Sequence, residues 1–218
     1  MTVSTNTERL EADIQEEYER RLRRYPGPAL GWRLLYSPRR VLSGARVAFI
    51  GFNPGGRYID QTHGEFSAEA GSAYRKEVED WNPSSSLQEQ VMALFHRLDV
   101  EPEDVLAGNL VPFRSPSEDS LPGASDAVIF GKNLWTQILA VARPSLVVSM
   151  GAKTNREISR LLLVHDITKY PTGWGNYTAS RGTFAGGTWI GLPHLSRFGI
   201  MKRSASQTPM DQLFRELN

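Results

Sequence analysis

The chain has no cysteine among its 218 residues. That absence excludes disulfides, zinc–thiolate centres, cysteine nucleophiles and cysteine-ligated iron–sulfur clusters. It suits a reducing compartment. No apolar run approaches the ~18 residues needed to cross a bilayer. The opening segment, Met1-Thr-Val-Ser-Thr-Asn-Thr-Glu-Arg9, lacks the basic and apolar blocks of a secretory leader. The expectation is a soluble, cytoplasmic protein with no membrane partner. Several nucleotide and hydrolase signatures are also missing. Gly151-Ala-Lys-Thr154 has no glycine directly before its lysine, so it is not a Walker loop. No G-x-G-x-x-G opens a helix. Val147-Val-Ser-Met-Gly151 has valine where a nucleophile elbow begins with glycine. The four histidines (63, 96, 165 and 194) have no metal-ligand spacing along the chain. No metal or other cofactor is expected.

What is present describes a folded chain. Hydrophobic residues make up 40% and charged residues 22%, which is too apolar for a disordered polymer. A chain of this size buries roughly 70–75% of its unfolded surface, enough for a core without staples. The length fits one domain with an extension: residues 1–28 as a helical extension and 29–218 as the main domain. Net charge is only +1, yet residues 143–218 carry 10 Lys/Arg against 4 Asp/Glu, while residues 1–142 carry 15 against 20. A basic C-terminal half suits an anionic partner, although scattered surface charge gives the same balance.

Periodicity places the elements. Leu10, Ile14, Tyr18 and Leu22 make one stripe on a helix over 7–24, with acids at its front and arginines at its end. Pro26-Gly27-Pro28 stops it. Short apolar runs at 47–50, 104–111, 145–150 and 188–192 read as strands. Helices are expected over 86–98 and 125–142, capped by Ser86 and Ser125, then from Gly151 to 164 and over 207–217. Residues 57–86 are polar with a weak helical pattern and too long for an inert connection, and residues 166–187 are polar with many Gly and Thr. Strands alternating with helices predict an α/β fold: a central four-stranded, mainly parallel sheet flanked by helices, plus the N-terminal helix. Ligands of such sheets sit at the carboxyl ends of the strands. All four strands end in unusual turns there: Gly51-Phe-Asn-Pro-Gly55, Asn109-Leu-Val-Pro112, Met150-Gly-Ala-Lys153 and Leu192-Pro-His-Leu-Ser196.

Gly51-Phe-Asn-Pro-Gly55 resembles the first signature of the uracil-DNA glycosylase superfamily, in the G-x-N-P-G form of its single-strand-selective and mismatch-specific types. Pro193-His-Leu-Ser196 resembles the second, H-P-S, with Leu195 in the place of proline. Gln61, Thr62 and Phe66 resemble that type's Q-T and stacking phenylalanine, and Asn109 its uracil-reading asparagine. The similarity runs over roughly residues 30–205. It implies a monofunctional DNA glycosylase that flips uracil from single- or double-stranded DNA and hydrolyses its N-glycosidic bond in base-excision repair. It also implies a monomer. On this resemblance Asn53 positions water, His194 stabilises the departing base, and Asn109 offers one acceptor and two donors to the base edge. Phe66 stacks the base, with Phe52 and Tyr58 competing for that task. Gly151 and Lys153, at a helix start, suit a phosphate. Ser196, Arg197, Lys202 and Arg203 add donors, and Phe198 falls in the run where the family carries its wedge into the base stack. Gly55 leaves open the space where some uracil enzymes exclude the thymine methyl. A glycosylase for another deaminated or modified base therefore stays as an alternative, as does a DNA- or nucleotide-binding module without chemistry.

Overall fold

The computed structural model describes residues 3–56, 58, 66–80 and 85–217. The elements are α1 (Val3–Arg24), β1 (Val47–Gly51), α2 (Ala73–Asp80), α3 (Ser86–Arg97), β2 (Leu106–Asn109), α4 (Ala124–Ala142), β3 (Leu146–Met150), α5 (Ala152–Leu161), β4 (His165–Pro171), β5 (Thr178–Phe184), β6 (Gly187–Leu192) and α6 (Gln207–Leu213).

Every residue of β1, β2 and β3 is buried. A strand covered on both faces has no polar side to show, which is why these segments read as unbroken apolar runs. The strand order is β2-β1-β3-β6-β5-β4. The first four strands pair in parallel, and β5 joins β6 and β4 in antiparallel. The sheet thus has six strands and is mixed. The four expected strands form its parallel part. The correction lies in residues 166–187, which fold as most of an antiparallel hairpin. Its outer strand, β4, is exposed at every position except Tyr170, so it carries no alternation of apolar and polar residues to announce it. Lys169 and Pro171 blunt that free edge against further pairing.

Helices cover both faces. On one side α1, α4 and α5 bring Leu10, Ile14, Trp135, Ile138 and Ile158 onto Ala48, Ile50 and Val147. On the other α2, α3 and α6 bring Tyr74, Leu94, Phe95, Met210 and Leu213 onto Phe49, Val148 and Ile190. The stripe anticipated on α1 is real: Leu10 is 2% and Ile14 0% exposed. Two caps differ from expectation. Ser85 and Gly123 hold the N-cap positions of α3 and α4, and Ser86 and Ser125 fall inside the first turns. Helix α2 falls within the weakly helical stretch 57–86, for which no bounded helix was expected.

Because β1 has β2 on one side and β3 on the other, the chain leaves it in both directions. A crevice forms at such a switch point, outside the carboxyl ends of the strands. Gly51, Asn109, Met150 and Leu192 are those ends.

Candidate active site at the carboxyl rim of the sheet

A cavity of about 1170 Å³ opens at this rim. All four strand-end turns line it, through Phe52, Asn53, Asn109, Gly151, Lys153, His194, Ser196 and Arg197. Among the described residues five basic side chains (Arg33, Arg114, Lys153, Arg156, Arg197) and two acidic ones (Glu77, Glu118) share its wall. That excess favours an anionic ligand.

Asn53 is half-buried, and its amide has a fixed orientation. Nδ2 donates to Ser115 Oγ at 2.8 Å and to the Pro54 carbonyl at 3.1 Å, with the Phe113 carbonyl at 3.4 Å. The Ser115 hydroxyl spends its one proton on the Ser117 carbonyl at 2.6 Å. It can therefore only accept from Asn53. The NH2 end is saturated, and Oδ1 is the acceptor left for a ligand or water.

Asn109 pairs with Gly51 across β1 and β2. Its backbone carbonyl accepts from Trp135 Nε1 at 2.7 Å. A methyl group on Gly51 would lie 2.7 Å from Asn109 Oδ1, so glycine is what lets this side chain cross the end of β1. Asn109 is 4% exposed, and its Nδ2 makes no full hydrogen bond among the described residues, although the Tyr36 phenol lies near enough to feel it. An unpaired buried donor costs about 1–3 kcal/mol, so a ligand that accepts from it recovers that loss.

His194 follows β6. Asn155 ties this region together: Nδ2 donates to the Leu192 carbonyl at 2.9 Å, while Oδ1 accepts from Ser149 Oγ at 2.8 Å. Leu195, in the place of the expected proline, is 1% exposed and packs in the core. Burial anchors the loop where a pyrrolidine ring is absent. The Ser196 backbone N–H lies 3.3 Å from His194 Nδ1 and the Ser196 hydroxyl 2.8 Å from it. A backbone N–H can only donate, so Nδ1 is an acceptor and the proton of the neutral ring sits on Nε2. Burial lowers the imidazole pKa below its usual 6.5, the Arg197 cation adds to this, and Glu118 opposes it. The ring is neutral at pH 7.

Other placements are mixed. Phe52 lines the cavity, with the Lys153 ammonium 4.5 Å from its ring centroid. Lys153 also pairs with Glu118 at 3.3 Å. Gly151, Ala152, Lys153 and Thr154 present the N-terminus of α5 to the cavity. Tyr58 lies on the wall and is 82% exposed. Phe66 is not brought to the cavity: it is 2% exposed in the core, beneath the Arg39 guanidinium. Phe198 leans on Trp174 and Tyr177 instead of projecting freely. Ile200 and Met201, from the same run, are buried. Lys202 pairs with Glu89 at 2.8 Å, and Arg203 donates to the Gly173 carbonyl. Gln61 and Thr62 lie outside the described residues.

No pattern in the chain announced the cavity's remaining polar wall. Arg33, Tyr36, Tyr74, Glu77 and Gln88 line it, and each is 9% exposed or less. Gln88 Nε2 donates to the Glu77 carboxylate, which leaves Oε1 as a buried acceptor without a partner among the described residues. Burial pushes the phenols of Tyr36 and Tyr74 up, so both stay protonated at pH 7. Ser115 was missed as well. Its only signal is a hydroxyl between Arg114 and Pro116, soon after Asn109. Among the described residues no cluster of three or more His, Asp or Glu is placed to hold a metal ion. No helix among them is long and apolar enough to cross a membrane.

A search of curated proteins returns no match to the chain. The family model of the uracil DNA glycosylase superfamily matches residues 39–218, a span that takes in all four strand-end turns. With an α/β fold, a parallel sheet core and this rim, the chain belongs to the uracil DNA glycosylase superfamily.

Proposed function

We propose that the protein is a monofunctional DNA glycosylase that excises uracil in base-excision repair. One observation carries the proposal: a neutral imidazole with its proton on Nε2 and an asparagine whose Oδ1 is free among the described residues line one cavity, together with the buried Asn109 amide, whose Nδ2 lacks a full hydrogen bond among them. Breaking an N-glycosidic bond builds positive charge on the sugar and negative charge on the base. Water attacks C1′ as the C1′–N1 pair leaves with the uracil. Asn53 Oδ1 accepts a hydrogen bond from that water and holds it in line. His194 Nε2–H donates to the base oxygen that gains charge. A donor aimed in this way is worth about 3–4 kcal/mol of barrier. The water proton ends on the departed base or in solvent. Asn109 reads the base edge, and Phe52 offers the apolar face against which the flipped base lies. Lys153 is held by Glu118 and by the Phe52 ring, so water rather than an amine is the nucleophile we assign.

A second reading has its own support. Among the described residues Gln88 Oε1 is an unpaired acceptor on the cavity wall, and a methyl group at Gly55 would meet none of them within 4 Å. A base larger than uracil, or one with an extra donor, suits that wall. The deciding experiment presents oligonucleotides with one uracil, hypoxanthine or xanthine, single- and double-stranded, followed by alkali to reveal abasic sites. Uracil cleavage that drops in His194→Ala supports the first reading. Cleavage at a purine alone transfers the assignment to that base. A folded protein that cleaves none of them is a binder, and the enzymatic proposal fails.

A further inference from the structure

The hairpin that extends the sheet ends in an aromatic group. Trp174 and Tyr177 come from the turn between β4 and β5, and Phe198 comes from the loop after His194. The Tyr177 and Phe198 ring centroids are 4.2 Å apart, and Trp174 stands edge-on to Phe198 at 6.0 Å. The group is held firmly. Thr172 Oγ1 donates to the Tyr177 carbonyl at 2.7 Å, and the Tyr177 N–H returns to the Trp174 carbonyl at 3.2 Å. Gly173 has φ +69°, and a methyl group there would meet the Ala205 carbonyl oxygen at 2.2 Å. The turn therefore lies flush on the segment that follows the second signature. Arg203 locks it, with its guanidinium 4.8 Å from the Trp174 centroid and a 2.7 Å bond to the Gly173 carbonyl.

This group stands next to the cavity. The Arg197 and Phe198 N–H groups both donate to the His194 carbonyl, at 2.9 and 3.1 Å. Tyr177, backed by Phe198, is 53% exposed. Among the described residues it and Tyr58 are the two strongly exposed aromatic side chains. Packing does not require so much apolar ring in water. A rigid flat face, continuous with a cationic cavity wall through exposed Arg197, matches a nucleobase on a phosphate chain.

We propose that Tyr177, braced by Phe198 and Trp174, stacks on the base adjacent to the nucleotide held in the cavity. The proposal rests on the DNA-glycosylase reading and adds a contact outside the base pocket. Its assignment of a DNA strand, and not an apolar protein segment, follows from the cations and from continuity with the cavity.

The test is a cycle between protein and DNA. Labelled single-stranded oligonucleotides carry a tetrahydrofuran abasic analogue at the target position. The base on its 5′ side, then on its 3′ side, is replaced by a second abasic spacer. Affinity is measured by fluorescence anisotropy at one salt concentration for wild type, Tyr177→Ala and Tyr177→Phe, with circular dichroism melts as the check on folding. Removing the neighbour on one side is expected to weaken wild type on the order of 10-fold. Tyr177→Ala starts weaker by a similar factor and is insensitive to the same removal, while Tyr177→Phe behaves as wild type. Equal losses in wild type and Tyr177→Ala, or a Tyr177→Ala protein that binds like wild type, overturn the stacking contact alone. A wild-type protein that binds no oligonucleotide and excises no base overturns both the contact and the glycosylase reading.

Discussion

The two halves of the sheet are built on different terms. In the parallel half, β2, β1 and β3 are buried throughout, and the C-terminal four residues of β6 are buried too. Each of these strands ends in a turn that supplies a side chain to the cavity. In the antiparallel half, β4 is almost wholly exposed and contributes nothing to the cavity. The parallel strands are positioned by burial on both faces, so packing holds their ends from both sides, which suits chemistry. The hairpin is positioned by its ladder with β6 and by the Gly173 contact. Its tip, braced by Arg203 and the Gly173 contact, suits an outer contact away from the reacting atoms. Reaction geometry and the proposed strand grip are thus assigned to regions held by different means, burial in one and edge pairing in the other.

The largest effect that can break this comparison is chemical. His194→Ala is expected to lower single-turnover excision by roughly 10²–10³-fold while the protein stays folded. A full rate in that variant removes the parallel rim from the mechanism. Next comes a pair of isoleucines, one from each half. Ile190→Ala in β6, at 0% exposure, should cost about 2–5 kcal/mol in denaturant unfolding. Ile167→Ala in β4, at 51% exposure, should cost no more than about 0.5 kcal/mol. Equal costs would mean that the hairpin is as tightly built as the core. A smaller effect concerns Ser115. Ser115→Ala releases the Asn53 amide to flip and should slow excision about 10-fold, the equivalent of one hydrogen bond near 1.4 kcal/mol, with substrate affinity unchanged. A loss confined to affinity would assign Ser115 to binding instead. The smallest effect is on stability against pH. Because the folded-state pKa of His194 is lowered, the unfolded chain takes up that proton first. The contribution is complete above the ordinary value of 6.5 and fades as pH falls through the lower folded value. His194→Gln should flatten that part of the melting-temperature profile, and an unchanged profile would place the acid sensitivity elsewhere.

The parts that could be read in the sequence share a physical cause. Strands buried on both faces must be apolar at every position, and turns at a sheet's carboxyl rim must use Gly, Pro and Asn. Val47–Gly51 and the Gly-Phe-Asn-Pro-Gly turn were legible for those reasons. The hairpin was not, since its edge strand exists through pairing and not through burial. Phe66 shows a second limit. Its spacing after Asn53 fits a stacking ring, but spacing says nothing of which way a ring faces, and the core took it. Phe198 is similar: its place in the chain suits a wedge, while its neighbours in space come from a hairpin that no local pattern disclosed. Arg33, Glu77 and Gln88 were invisible because each is a lone polar residue on an otherwise ordinary segment. Only the fold gathers them.

The matched family region begins at residue 39, yet the chain before it reaches the rim. Arg21 of α1 donates to the Pro122 carbonyl and lies over the Phe113 ring at 4.7 Å. Tyr18 accepts from the Gly31 N–H at 2.8 Å, and the Gly31 carbonyl accepts from the Arg114 N–H at 3.1 Å. These contacts frame the loop whose Ser115 holds Asn53. The first helix lies outside the matched span, yet it splints the loop that orients one of the two signatures. A chain trimmed to residues 39–218 would keep both signatures and lose the brace behind Asn53.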